Sequence, residues 1–236
     1  GHLDEMLGKI EALVGSVRHV SDNIAHDLRT PLTRLRNKIE VVAASSPESV
    51  RAELESSVAD ADELLLTFAS LLRIARIESG TYSPTLEKID LSVILADAAD
   101  LYQGVASERN VVLVSDTDPS LVVNGDRNLM FQAISNLLDN AVKNSPSEGA
   151  VGLVATEENN EVQLKIHDNG PGIPEEEYDR VLERFSRLDQ SRSLPGSGLG
   201  LSVVKAVVEL HAGTLRFRNN DPGLMVELKF PSNKIL

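Results

Sequence analysis

The strongest constraint on what this 236-residue chain can fold into is a change of hydrophobic period at Gly80. Upstream of it, apolar residues fall at Leu3, Leu7, Ile10, Val14, Val17, Ile24, Leu28, Leu35, Ile39 and Val42. A second series follows at Val50, Leu54, Val58, Ala61, Leu65, Phe68, Leu72 and Ala75. Most steps are three or four residues, with charged residues between, as in long helices packed along a seam. The break, SSPES at 45–49, has stop-and-start chemistry: Ser46 is placed to cap and Pro47 to take the first helical position. Gly80 closes the second helix. Residues 1–80 therefore read as an all-α helical hairpin. Two helices cannot bury both seams alone, so a homodimer through residues 3–79, closing a four-helix bundle, is expected.

Downstream the periods mix. Residues 81–85, TYSPT, read as a linker, and 86–236 as a second domain. Alternation predicts strands at 86–90, 111–115, 121–124, 150–156, 161–167, 214–219 and 224–230. Helical spacing predicts helices at 92–108, 127–143, 175–184 and 199–211, with Asp126 as N-cap of the second. The expected fold is multidomain: the hairpin, then an α+β two-layer sandwich with helices on one face of a sheet.

Composition removes several function classes. A formal charge of −13 leaves no basic surface for a phosphate backbone, so no nucleic-acid partner is expected. With no cysteine, disulfides and thiolate metal sites are excluded. Apolar runs stay far below the ~20 residues that span a bilayer, and the opening GHLDEMLGK has a helical pattern rather than that of a leader peptide.

Three stretches of the second domain carry chemistry. In NLLDNAVKN, 136–144, Asn136, Asn140 and Lys143 share one helical stripe. Their amide oxygens suit Mg²⁺ and the ammonium suits phosphate, although a solvated polar face gives the same pattern. In HDNGPGIP, 167–174, Asp168 ends an alternating strand ahead of Gly170 and Gly172, which lets a carboxylate enter a cavity while backbone passes close to a ligand; a plain turn is the alternative. In GSGLGLS, 196–202, Gly196, Gly198, Leu199 and Gly200 run into a helix whose N-terminus suits phosphate. It lacks the surroundings of a dinucleotide fingerprint. Residues 175–195 between them read as a lid over a pocket.

A fourth stretch, AHDLRTPL at 25–32, interrupts the first helix. His26 is two residues from both Ile24 and Leu28, about 200° around the helix, so it points outward. Such a histidine is ordinarily an idle surface residue. Here Asp27 can orient the ring or take its proton, and Thr30 lies one turn on along the same face. Pro31 leaves the Asp27 carbonyl without its helical partner and favours a bend.

Taken in order, an Asn-bearing helix, D-x-G-x-G, R-F-S-R and G-x-G-L-G-L resemble the ATP-binding domain of sensor histidine kinases. H-D-L-R-T-P-L resembles that family's phosphoacceptor motif, and the resemblance runs from about Val17 to Pro231. It implies phosphoryl transfer from ATP to His26, with Asp27 on the other ring nitrogen. It also implies Asp168 on the adenine amino group, Gly170 and Gly172 shaping the base pocket, and Asn136 and Asn140 carrying Mg²⁺. Lys143 and Arg187 would pair with phosphate oxygens, wrapped by Gly196, Gly198 and Gly200 with Leu199 between them. Phospho-His26 would pass its group to an aspartate of a response regulator, and Thr30 would support the reverse, phosphatase role. The implied setting is the cytoplasmic portion of a bacterial inner-membrane sensor, in the membrane only through segments absent from this chain. Two departures stand out: Asp27 replaces the Glu of many relatives, and Asn144 stands where many carry an aromatic. The rivals are a nucleotide-binding dimeric scaffold and a superfamily ATPase without histidine phosphorylation; AHDLRTPL disfavours the latter.

Overall fold

The computed structural model describes residues 31–188 and 197–233, and the chain divides into two compact units, Gly1–Ser83 and Pro84–Leu236. His26, Asp27, Thr30 and Gly196, with the first seam from Leu3 to Leu28, lie outside the described residues.

In the N-terminal unit, α1 covers 31–45 and α2 covers Glu48–Glu78. Arg36 of α1 joins them: its Nε lies 3.1 Å from Asp62 Oδ1 on α2, while Nη1 holds Glu40 at 2.7 Å. At the turn the Ser46 hydroxyl donates to the Val42 carbonyl at 2.7 Å. Ser46 therefore finishes α1 instead of opening α2, and Pro47 itself stands at the N-cap with no side-chain cap. The correction has a simple cause: the last carbonyls of α1 need donors, and Ser46 is within one turn of them. At the other end the Gly80 and Thr81 N–H groups donate to Ile77 and Arg76 carbonyls, each at 3.0 Å, the bond pattern of a Schellman stop. Ala43, Ala61 and Ile74 are buried, whereas the seam residues Leu35, Val42 and Val50 are exposed.

The C-terminal unit runs β1 (Glu87–Asp90), α3 (Leu91–Glu108), β2 (Val112–Thr117), β3 (Val122–Gly125), α4 (Arg127–Asn144), β4 (Ala150–Glu158), β5 (Glu161–Asp168), α5 (Gly200–Leu210), β6 (Thr214–Asn219) and β7 (Leu224–Pro231). β1 and β3 pair antiparallel; the main sheet has order β2-β4-β5-β7-β6, with β2 and β4 parallel and the other pairs antiparallel. The β4–β5 hairpin turns on Asn159 and Asn160, both at positive φ, as a two-residue type I′ turn requires. The helix expected at 175–184 is absent. Two single 3₁₀ turns stand there, Glu175–Glu177 and Arg180–Leu182. Val181, within the second turn, is the residue buried there, too little of an apolar face to hold a longer helix against the sheet.

The three helices cover one face of the main sheet. Val162, Leu164 and Ile166 of β5 alternate inward to meet Leu129, Ile134 and Leu138 of α4 and Val204 and Val208 of α5 in the buried core. Asp126 caps α4, its Oδ1 accepting from the Asn128 and Leu129 N–H groups at 3.0 and 3.1 Å. Buried His211, just past α5, ties that helix to the same corner. Its Nε2 accepts from the Asp126 N–H at 2.9 Å and its Nδ1 lies 2.7 Å from the Val207 carbonyl. A donor on one side and an acceptor on the other fix a neutral ring with the proton on Nδ1. Burial pushes the His211 pKa below its ordinary value, against opposing contributions from the Val207 bond and the Asp126 charge.

Candidate nucleotide-binding site

Asp168 is the last inward position of β5, in phase with Val162, Leu164 and Ile166. The strand period thus delivers a carboxylate to the helix side of the sheet. Its Oδ1 accepts from the Gly170 N–H at 2.8 Å and the Leu224 N–H at 3.3 Å, and its backbone carbonyl accepts from Asn220 Nδ2 at 2.8 Å. Burial raises the Asp168 pKa, while the two N–H donors and nearby His167 pull it back. With Oδ1 held by two backbone N–H groups, the carboxylate is a rigid acceptor whose chemistry suits an amino group.

The loop after Asp168 lies against the β6–β7 turn. Gly172 has φ +72°, and a Cβ there would sit 2.9 Å from the Gly223 carbonyl oxygen. A side chain is therefore excluded both by conformation and by space. A Cβ on Gly170 would strike the Asn144 carbonyl, so the same loop rests on the end of α4. A cleft of about 290 Å³ borders this loop, lined by Pro171, Ile173, Pro174, Tyr178 and Asn219.

α4 and α5 bring the other two motifs together. Asn136 Nδ2 donates to the Gly200 carbonyl at 3.3 Å, and a Cβ on Gly200 would lie 3.6 Å from Asn140 Nδ2. Both amides therefore face the start of α5. That start carries no side-chain cap, and the Ser202 hydroxyl turns back to the Leu199 carbonyl at 2.9 Å. Among the described residues the N-cap Leu199 offers no side-chain acceptor to the first N–H groups of α5, which suits that helix start to an anion. Leu199 is buried, and Gly198, at φ +71°, has its Cβ position 2.9 Å from the Phe185 backbone carbon. The glycine turn and the chain after Phe185 are packed backbone to backbone, at a spacing that needs Gly198.

Lys143 is placed differently from the amides. Its Nζ lies 2.6 Å from Asp139 Oδ2, and Arg109 Nη2 donates to its carbonyl at 3.3 Å. Burial and the Asp139 charge push the Tyr102 pKa up to about 12, and the rotation of about 100° per residue turns Asp139 away from Asn140 and from the side of α4 that meets α5. Arg187 is half-buried two residues past Phe185, and this stretch is described as far as Leu188. The candidates Asn136, Asn140 and Gly200 form one group and Asp168, Gly170 and Gly172 a second, joined through the end of α4. Sequence reasoning missed Asn220, Gly223 and Leu224, which fix Asp168; the N-D-P-G turn was the available signal.

Two family models match the chain: residues 16–80 match the His Kinase A (phospho-acceptor) domain, and 125–234 the histidine kinase-, DNA gyrase B- and HSP90-like ATPase. Signal transduction histidine-protein kinase/phosphatase MprB of Mycolicibacterium smegmatis is 36% identical over 232 residues, covering 92% of this chain and 46% of the relative. Sensor-like histidine kinase SenX3 of the same organism is 31% identical, covering 82% of this chain and 52% of the relative. The chain thus spans about half the length of these curated relatives. Among solved structures, full-length ShkA in complex with AMPPNP superposes with a TM-score of 0.80 at 22% identity, covering 92% of this chain and 46% of that one, a likeness of fold. The structure of the mycobacterial sensor histidine kinase MprB matches at TM-score 0.58 and 34% identity, covering 64% of this chain and all of that one. A phosphoacceptor segment followed by an ATPase domain, in a chain this similar to MprB along its length, belongs to the sensor histidine kinases.

Proposed function

We propose that this chain is the kinase core of its sensor and transfers the γ-phosphoryl group of ATP to His26. The observation that carries the reading is the convergence of Asn136 and Asn140 on the start of α5, on the same helix whose end rests against the loop after the buried carboxylate of Asp168. In this reading Asp168 accepts from the adenine amino group, and Gly170 and Gly172 let the base lie against backbone. The N–H groups around Gly198–Gly200 hold phosphate oxygens, with Gly196, Lys143 and Arg187 contributing from the adjoining chain. The Asn136 amide nitrogen is used by Gly200, which leaves its oxygen for a hard cation, and Asn140 stands one turn on. Mg²⁺ held by these two side chains would neutralise phosphate charge.

Transfer forms a bond from a ring nitrogen of His26 to the γ-phosphorus and breaks the bond to the bridging oxygen, releasing ADP. Asp27 takes the proton from the other ring nitrogen. The protein's contribution is positioning and charge neutralisation. A second transfer moves the phosphoryl group to an aspartate of a response regulator, and Thr30 assists its removal by water. The acting species is a homodimer through 3–79, supported by the exposed seam residues Leu35, Val42 and Val50. We place it as the cytoplasmic portion of a membrane sensor; no helix among the described residues is long and apolar enough to cross a bilayer. Incubation with γ-labelled ATP and Mg²⁺ tests this. Wild type is expected to take up acid-labile, base-stable label, and His26→Gln none. Equal labelling of the two proteins would remove His26 from the mechanism.

A further inference from the structure

The strand order β2-β4-β5-β7-β6 sets the helices side by side across the sheet, α3 over β2, α4 over β4 and β5, and α5 over β6. α4 therefore divides its polar side chains between two neighbours. Asn136 and Asn140 face α5. Asp139 stands about 100° around α4 from Asn140, turned away from α5, and the Lys143 ammonium is bonded to its carboxylate at 2.6 Å. The lysine stem leaves the helix on the amide stripe, so its charge can reach either flank. The bond to Asp139 draws that charge away from the glycine turn.

We infer that Asp139 is a latch for Lys143: it holds the ammonium away from the glycine turn, and phosphate must compete with the carboxylate for it. This rests on the nucleotide-binding reading above and adds a positioning residue to it. The two side chains are 32 and 35% exposed, so the pair is partly screened and releasable. Partly exposed pairs of this spacing shift an equilibrium by about 2- to 5-fold. A single carboxylate thus restrains Lys143 yet yields to the denser charge of a polyphosphate. An adenosine without phosphates has nothing to offer the ammonium and leaves the latch closed. Asp139 consequently filters ligands by phosphate content, at a place that touches neither base nor ribose.

Titrations of the full chain with ATP and with adenosine, in Mg²⁺ buffer at low and moderate salt, test the latch. Asp139→Asn is expected to tighten ATP by about 2- to 5-fold, more at low salt, and to leave adenosine unchanged. Asp139→Glu, which keeps charge and reach, should return affinity to the wild-type value. In a Lys143→Gln background the gain from Asp139→Asn should shrink, which a general loosening of α4 would not produce. ATP affinity unchanged or weakened in Asp139→Asn, or an equal gain in the Lys143→Gln background, overturns the latch alone. A wild type that binds no ATP overturns the functional reading and the latch with it.

Discussion

The residue most informative about how the C-terminal unit holds its shape is His211, which has no part in the chemistry proposed. Its ring is a neutral link between the end of α5 and the start of α4, with both nitrogens used. Protonation would place a hydrogen on Nε2 facing the Asp126 N–H, and that bond would be lost. Because burial lowers the folded-state pKa, the unfolded chain binds the proton more readily. The stabilisation is therefore complete above the ordinary value of 6.5 and is lost as pH falls below it toward the folded value. Urea midpoints measured from pH 7.5 to 5 should fall over that window in wild type. His211→Ala should cost about 2–3 kcal/mol at pH 7.5, from the orphaned N–H and the cavity. It should also flatten part of the pH dependence. Parallel pH profiles for the two proteins would show that the ring does not titrate on folding. In the sequence, VELHAG reads as an ordinary helix end. The partner that makes its histidine structural lies 85 positions away, beyond the reach of any local pattern.

At the scale of elements, α4 carries both candidate amides, and its start depends on Asp126. Asp126→Ala removes the acceptor for two N–H groups and should lower stability by about 1–2 kcal/mol, read as a shift in the denaturation midpoint. A shift below a few tenths would mean that water caps this end equally well. The cap was legible because Asp stands directly before an amphipathic run, and the strands were legible by alternation. The 175–184 region misled because charge density imitates a helical surface; what decides is the apolar face beneath it, and here that is Val181. The stripe of Asn136, Asn140 and Lys143 was readable, and so in principle was the acid four residues before the lysine. Their separation onto two flanks was not, since it depends on which helices lie on either side of α4. The parallel pairing of β2 with β4 has the same origin: two strands separated by β3 and α4 meet only through the whole layer.

At the scale of the whole molecule, the helical hairpin leaves part of its seam uncovered. Leu35, Val42 and Val50 are 52, 51 and 42% exposed although each occupies a seam position. Scattered apolar residues on a surface are ordinary, but these recur at the period that defines the helices. A second hairpin laid along the seam would bury them, and the chain's charge of −13 does not prevent this because the acids lie between seam positions. The substitution Leu35→Asp combined with Val42→Asp puts two carboxylates where the partner helix would lie. Burying an unpaired charge costs several kcal/mol, more than either leucine or valine contributes by burial. Light scattering at micromolar concentration should therefore find wild type at twice the chain mass and the double variant at the chain mass, with helical circular dichroism largely kept. Nucleotide affinity should stay within about 2-fold, within the scatter expected of independent sites, because every candidate ligand of adenine and phosphate lies downstream of Ser83. A double variant that remains dimeric would place the contact elsewhere on the hairpin. A variant that lost nucleotide binding along with the dimer would show that the two units fold as one, against the division at Ser83.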